Sequence, residues 1–222
     1  TTEIYTLSLH DALPICTLME HLFASPVTFG LLVLNIAASL IAFSNPVFMS
    51  QNVLWVGPMR DRGEWYRAIS SGFLHVNAPH LMLNMYGLFL FGPICEYFLG
   101  GVGFAIVYFA SLIGGSAWAY LHNRNTSDYR AAGASGALSG MILAFCLFQP
   151  FAVLLAFFIL PMWGIVFGIL YIGLSYAFSM RADRVIGHEA HLGGAVAGII
   201  ATLVVRPETF SEFVAQAAAK FG

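Results

Sequence analysis

Long uncharged runs alternate with short polar clusters along this chain, and the runs recur at membrane-span length. Val27 to Phe43 carries no charge and is read as a first span, with Ser25-Pro26 offering an N-cap and a proline at the first helical position. Ser44-Asn45-Pro46 ends it. Residues 47–71 mix Arg60, Asp61, Arg62, Glu64 and Arg67 with Trp55, Trp65 and Tyr66, a polar-aromatic loop suited to a membrane interface. A second span is expected from Pro79 to Leu99, although it holds His80, Asn84 and Glu96. Gly101 to Tyr120 reads as a third span and Ala134 to Phe148 as a short fourth, separated by a polar loop from His122 to Arg130. Gln149-Pro150 then breaks the chain, and the apolar run Phe151–Leu160, closed by Pro161, is too short to cross. It is expected to be an interfacial or packed connector. Met162 to Met180 and Ala190 to Val205 complete six spans, and Phe210, Phe213, Val214 and Ala217 give the tail an apolar face for the membrane surface.

Composition agrees. Of 222 residues 59% are apolar and 9% charged, and the mean hydropathy is +0.80. A soluble domain carries about 25% charged residues, so this chain lacks the charge to cover a soluble core. A net charge of −2 argues against a nucleic-acid partner, and Cys16, Cys95 and Cys146 form no paired framework. The expected fold class is therefore all-α, a polytopic transmembrane helical bundle of six spans. One domain covers 26–206, between a tail at 16–25 and another at 207–222. Residues 1–15, TTEIYTLSLHDALPI, show neither a helix period nor the zones of a signal peptide. They look like a translated sequencing-library adapter and are expected to be foreign to the protein, the alternative being a disordered native tail. Arg60, Arg62, Arg67, Arg124, Arg130, Arg181 and Arg184 follow spans one, three and five, whereas the other side holds only Arg206 and Lys220. On the positive-inside rule the odd loops face the cytoplasm.

Polar side chains are costly in hydrocarbon, so those inside spans are functional candidates. His80 and Asn84 are four apart on one face of span two, with His75 just before it. Gly133-Ala134-Ser135-Gly136 opens span four and places a serine beside the orphan N–H groups and positive dipole of a helix start. Such donors suit an oxyanion formed when a serine attacks a carbonyl. Ala190, Gly194 and Gly198 in span six repeat at four, as do Gly136 and Gly140 in span four, a spacing that lets two membrane helices pack closely. Packed so, His191 reaches Ser135 as a general base. Each cluster also has a plainer reading: interhelical hydrogen bonding for the His/Asn face, helix packing around an incidental serine for the Gly-rich start. His188-Glu189-Ala190-His191 lacks the spacing of a zinc-protease helix, and Glu189 points away from His191, so the pair reads as a dyad.

Together and in this order the motifs resemble the rhomboid intramembrane serine proteases. The resemblance runs over about 26–206 through Trp65-Tyr66-Arg67, His75…His80…Asn84, Gly92-x3-Glu96-x3-Gly100, Gly133-Ala134-Ser135-Gly136 and Ala190-His191-x2-Gly194-x3-Gly198. It implies Ser135 as nucleophile and His191 as base, with His80, Asn84 and the Ser135 backbone N–H stabilising the oxyanion. His75, Gly133 and Gly136 would support the site. Arg67 would order the first loop, and Glu96 would bond near the next loop. The sequence departs from some members at Ser139, where an aromatic ring often supports the histidine. Family topology places the active site on the extracytoplasmic side, opposite to the charge count, in a bacterial inner membrane. The resemblance implies cleavage of transmembrane protein substrates, which enter laterally between spans two and five beneath a loop at about 181–189. No cofactor, metal or nucleotide is implied, and oligomeric state is not specified. Two other classes are a catalytically inactive rhomboid-like protein that binds membrane clients and a transporter using the His/Asn face; the latter predicts inverted repeats or broken helices.

Overall fold

The computed structural model describes residues 24–156, 160–179 and 188–222. The first fifteen residues, most of the N-terminal tail with Cys16, and the loop at 180–187 lie outside the described residues. Helix α1 (Pro26–Ser44) is followed by α2 (Pro46–Asn52), β1 (Leu54–Trp55), α3 (Val56–Arg62), α4 (Arg67–Ser70) and a 3-10 turn at Ser71–Phe73. Next come α5 (Ala78–His122), β2 (Arg130–Ala131), α6 (Ser135–Phe148), β3 (Val153–Ala156) and β4 (Leu160–Trp163). Helices α7 (Gly164–Ser179), α8 (His188–Val205) and α9 (Glu208–Phe221) complete the chain.

The result is an all-α membrane bundle with, among the described residues, two small two-stranded sheets. Predicted spans two and three are the arms of α5, a 45-residue element broken at Gly100, whose φ of 69° and ψ of 161° are open to glycine and strained for other residues. His80 and Gly115 both meet the start of α6, so the arms run antiparallel. Among the described residues, only α1 and α5 are continuous apolar helices long enough to cross a membrane, and α8 joins them if counted with α9 across a 101° bend. Helix α6 has 14 residues, about 21 Å at 1.5 Å per residue. Most of its residues are buried by protein, so it has no need to match the bilayer thickness.

Three expectations change. The connector after Pro150 is an antiparallel hairpin, with Val153 opposite Trp163 and Ala156 opposite Leu160, so span five starts at Gly164 and not at Met162. Extended pairing satisfies backbone groups that an apolar run too short to span would otherwise expose. Ser25 precedes α1, but its side chain makes no capping bond. The cap is instead the Glu96 carboxylate, which accepts from Val27 N (3.0 Å), Thr28 N (2.7 Å) and Thr28 Oγ1 (2.7 Å). Glu96 thus bonds the start of α1 rather than the loop that follows its own helix, because a buried acid is best met by the unpaired N–H groups of a helix end.

The bundle is centred on α6. The Cys95 Sγ on the first arm of α5 donates to Met141 O (3.3 Å), and the Cys146 Sγ of α6 donates to Gly164 O at the start of α7 (3.0 Å). On the other side the small-residue stripes meet: a Cβ at Gly194 would run into the carbonyl of Gly136, and one at Gly198 into Gly140. Only glycine permits that approach, and it sets the height of α8 against α6.

Candidate active site

Ser135 is the first residue of α6, and the first bond of that helix closes from Leu138 N–H to Ala134 O (2.9 Å). The N–H groups of Ser135, Gly136 and Ala137 are therefore left without intrahelical acceptors. Across the stripe contact, His191 Nε2 lies 2.8 Å from Ser135 Oγ. One helix end and one glycine contact bring together residues 56 apart in sequence. Glu189, two residues before the imidazole, is turned to the Tyr129 hydroxyl at 3.5 Å.

The peptide before Ser135 is held from several sides. Gly133 has a φ of 136°, and its N–H donates to Ser71 O (3.0 Å). A Cβ there would sit 2.7 Å from His80 Cε1, 3.0 Å from His80 Nε2 and 3.7 Å from Ser135 Oγ. The missing side chain is thus the space between the His80 imidazole and the serine hydroxyl. A cavity of about 60 Å³ opens there, lined among others by His80, Ser116, Arg130, Gly133, Ser135 and Ala190. Its rim includes the β1–β2 pair, in which Leu54 lies opposite Ala131 and the Arg130 guanidinium stacks 3.7 Å over the Trp55 ring.

His75 is fully buried in the turn before α5. Burial, reinforced by the adjacent His80, pushes it down to about 3, so it is neutral at physiological pH. Its Nε2 faces the Ala134 N–H at 3.5 Å and its Nδ1 meets Ser39 Oγ at 2.9 Å. Ser39 in turn donates to Phe73 O (3.1 Å), so the imidazole ties α1 to the residue before the serine. Asn84 is not brought to the cavity. Its Nδ2 donates to His80 O (2.9 Å) on its own helix, and its buried Oδ1 has no partner among the described residues. Arg67, 3% exposed, donates to Ser50 O (2.8 Å), Val53 O (2.9 Å) and the Glu64 carboxylate (2.6 Å). Glu96 is remote, 12 residues beyond Asn84 on the same arm, or about 18 Å along it.

Two contributors escaped the sequence reading. The two-residue strands at the rim of the cavity carry no periodicity to detect. The aromatic ring beside the imidazole is Tyr171 of α7, 6.2 Å from His191 and nearly parallel at 21°. Nothing in the spacing around Ser139 announces a ring from another helix.

The family model for the rhomboid domain matches residues 62–208. The chain is 28% identical over 200 residues to RHOMBOID-like protein 12, mitochondrial, of Arabidopsis thaliana, covering 83% of the chain and 60% of that relative. It is 30% identical over 143 residues to Rhomboid protease GluP of Bacillus subtilis, covering 63% of the chain and 26% of the relative. It is also 30% identical over 140 residues to Rhomboid protease AarA of Providencia stuartii, covering 54% and 50%. The chain thus spans between a quarter and three fifths of the lengths of these relatives.

Proposed function

The chain belongs to the rhomboid family of integral membrane proteins, and on that premise we propose that it is an intramembrane serine endopeptidase acting through a Ser135–His191 dyad. The observation that carries the reading is the 2.8 Å contact between His191 Nε2 and Ser135 Oγ at a helix N-terminus facing the cavity that His80 also lines. Ser135 Oγ attacks the scissile carbonyl carbon while His191 Nε2 takes its proton. The tetrahedral oxyanion collects donors from the Ser135 backbone N–H and the His80 ring, and from the Asn84 amide N–H once that amide turns from its own helix. The imidazolium then returns the proton to the leaving amine. A water deprotonated by the same nitrogen hydrolyses the acyl-enzyme.

Substrates on this reading are transmembrane segments. A membrane helix satisfies its own carbonyls, so a cleavable segment must unwind locally, which favours small or helix-breaking residues. The seam between the first arm of α5 and α7, where Phe91 and Phe167 stack at 6.3 Å, is the proposed lateral entry. The expected bacterial inner membrane gains no support from the relatives, the first of which bears a mitochondrial name. The proposed extracytoplasmic active site is tested by a reporter fused to the C-terminus, which must lie on the opposite face.

The central test uses purified protein in detergent with a transmembrane reporter and a fluorophosphonate label. Wild type cleaves and labels, whereas Ser135→Ala does neither and His191→Ala falls to background. His80→Ala loses about 10²-fold in kcat. Equal cleavage by wild type and Ser135→Ala sinks the protease reading.

A further inference from the structure

We propose that Tyr171 is the positioning residue for the general base, so that the alignment of His191 depends on α7. The inference rests on the dyad reading above and extends it to a residue and a helix outside the motifs that carry the family resemblance. Tyr171 stacks on the His191 imidazole at 6.2 Å and 21°, and its hydroxyl lies 2.6 Å from Ser139 Oγ. Ser139 Oγ is also 2.7 Å from Ser135 O. A carbonyl only accepts, so the single hydroxyl hydrogen of Ser139 goes to Ser135 O. The Tyr171 O–H is then the donor to Ser139 Oγ.

The contacts close a circuit. Ser135 Oγ meets His191, His191 stacks on Tyr171, Tyr171 donates to Ser139, and Ser139 donates back to the Ser135 carbonyl. Nucleophile and base are each held from the side away from the reaction by one linked pair. A large ring at position 139 could cover the imidazole from α6 itself, but that site holds a fully buried serine. Here the hydroxyl of the small residue anchors a ring delivered by α7. The ring is itself braced: Phe167, one turn earlier, stacks on Tyr171 at 6.3 Å and on Phe91 of α5 at 6.3 Å. Imidazole orientation is thus linked to the seating of α7 against α5, a dependence that a ring on α6 would not create.

The test compares Tyr171→Phe, Tyr171→Leu, Ser139→Ala and the double variant Ser139→Ala/Tyr171→Phe, by steady-state cleavage of the reporter and by the fluorophosphonate labelling rate. Tyr171→Leu removes the stack and lowers kcat and the labelling rate about tenfold or more at unchanged KM. Tyr171→Phe keeps the ring and stays within about threefold of wild type, since only a hydrogen bond is lost. Ser139→Ala loses the same bond, so the double variant falls no further than the lower single. Thermal unfolding identifies any variant that has merely lost the fold, and Tyr171→Phe against Tyr171→Leu at matched midpoints then decides. The proposal is overturned if Tyr171→Leu keeps wild-type kcat and labelling, or if Tyr171→Phe falls as far as Tyr171→Leu. Failure of wild type itself to cleave and label refutes the dyad reading instead, so the two failures are distinguishable.

Discussion

Replacing Gly194 by alanine should separate the two halves of the dyad without touching either. A Cβ at position 194 would lie 2.7 Å from the carbonyl carbon of Gly136 and 3.0 Å from its Cα. Carbon pairs are comfortable at about 3.5–4.0 Å. The obstacle is backbone, which cannot rotate aside, so α6 and α8 must part by about 1 Å at this level. His191 lies one turn away on α8, and its 2.8 Å contact to Ser135 would stretch past the limit of a useful hydrogen bond. Misplacement of about 1 Å costs on the order of 10²-fold in rate, while overpacking costs about 1–3 kcal/mol of stability. The assay pairs the fluorophosphonate labelling rate with thermal unfolding in micelles, using Gly30→Ala as the control. Gly30 has nothing within 4 Å of its Cβ position and lies in α1, so that variant should label normally. Wild-type labelling by Gly194→Ala would refute the idea that this glycine contact sets the dyad distance.

Glu96→Gln should lower stability by about 2–4 kcal/mol, because charged hydrogen bonds weaken and an amide N–H₂ is turned toward backbone donors; an unchanged unfolding midpoint would contradict the cap. His75, held at about 3 in the fold, binds its proton more readily in the unfolded chain at about 6.5. Its stabilising contribution is therefore full above about pH 6.5 and is lost as pH falls toward 3, by about 2 kcal/mol between pH 7 and 5. Unfolding free energies of wild type and His75→Gln across that interval should diverge by this amount, and parallel curves would exclude His75 as the source. Arg67→Lys cannot reproduce the fork that serves Ser50 O, Val53 O and Glu64, and should cost about 1–3 kcal/mol and speed limited proteolysis within 47–66.

The apolar runs marked where helices lie because hydrocarbon admits few alternatives, and the stripes at Gly136/Gly140 and Gly194/Gly198 carried enough information to pair α6 with α8. Ser135 and His191 were legible for the same reason: a polar residue in such a chain stands out. What stayed hidden was partner choice. Ser25 looks like a cap, yet the donors of α1 take Glu96, nearly seventy residues away. Ser139 looks like an absence, and only the fold supplies Tyr171. The run from Phe151 to Leu160 is uniformly apolar, so it has no period to separate a hairpin from a helix. Asn84 shows the converse: its position on the His80 face was plain, but an amide can satisfy itself on its own helix.

The two buried thiols turn the bundle into its own clock. Cys95 sits at the contact between α5 and α6, and Cys146 at the contact between α6 and α7. Neither sulfur can meet a maleimide until its own seam parts, so with Cys16 replaced the labelling time course of each reports one interface alone. If α7 loosens while α5 stays seated, Cys146 reacts first and Cys95 lags; if the bundle opens as one unit, both react together. Membrane composition, temperature and a bound substrate segment could then be ranked by which seam they release.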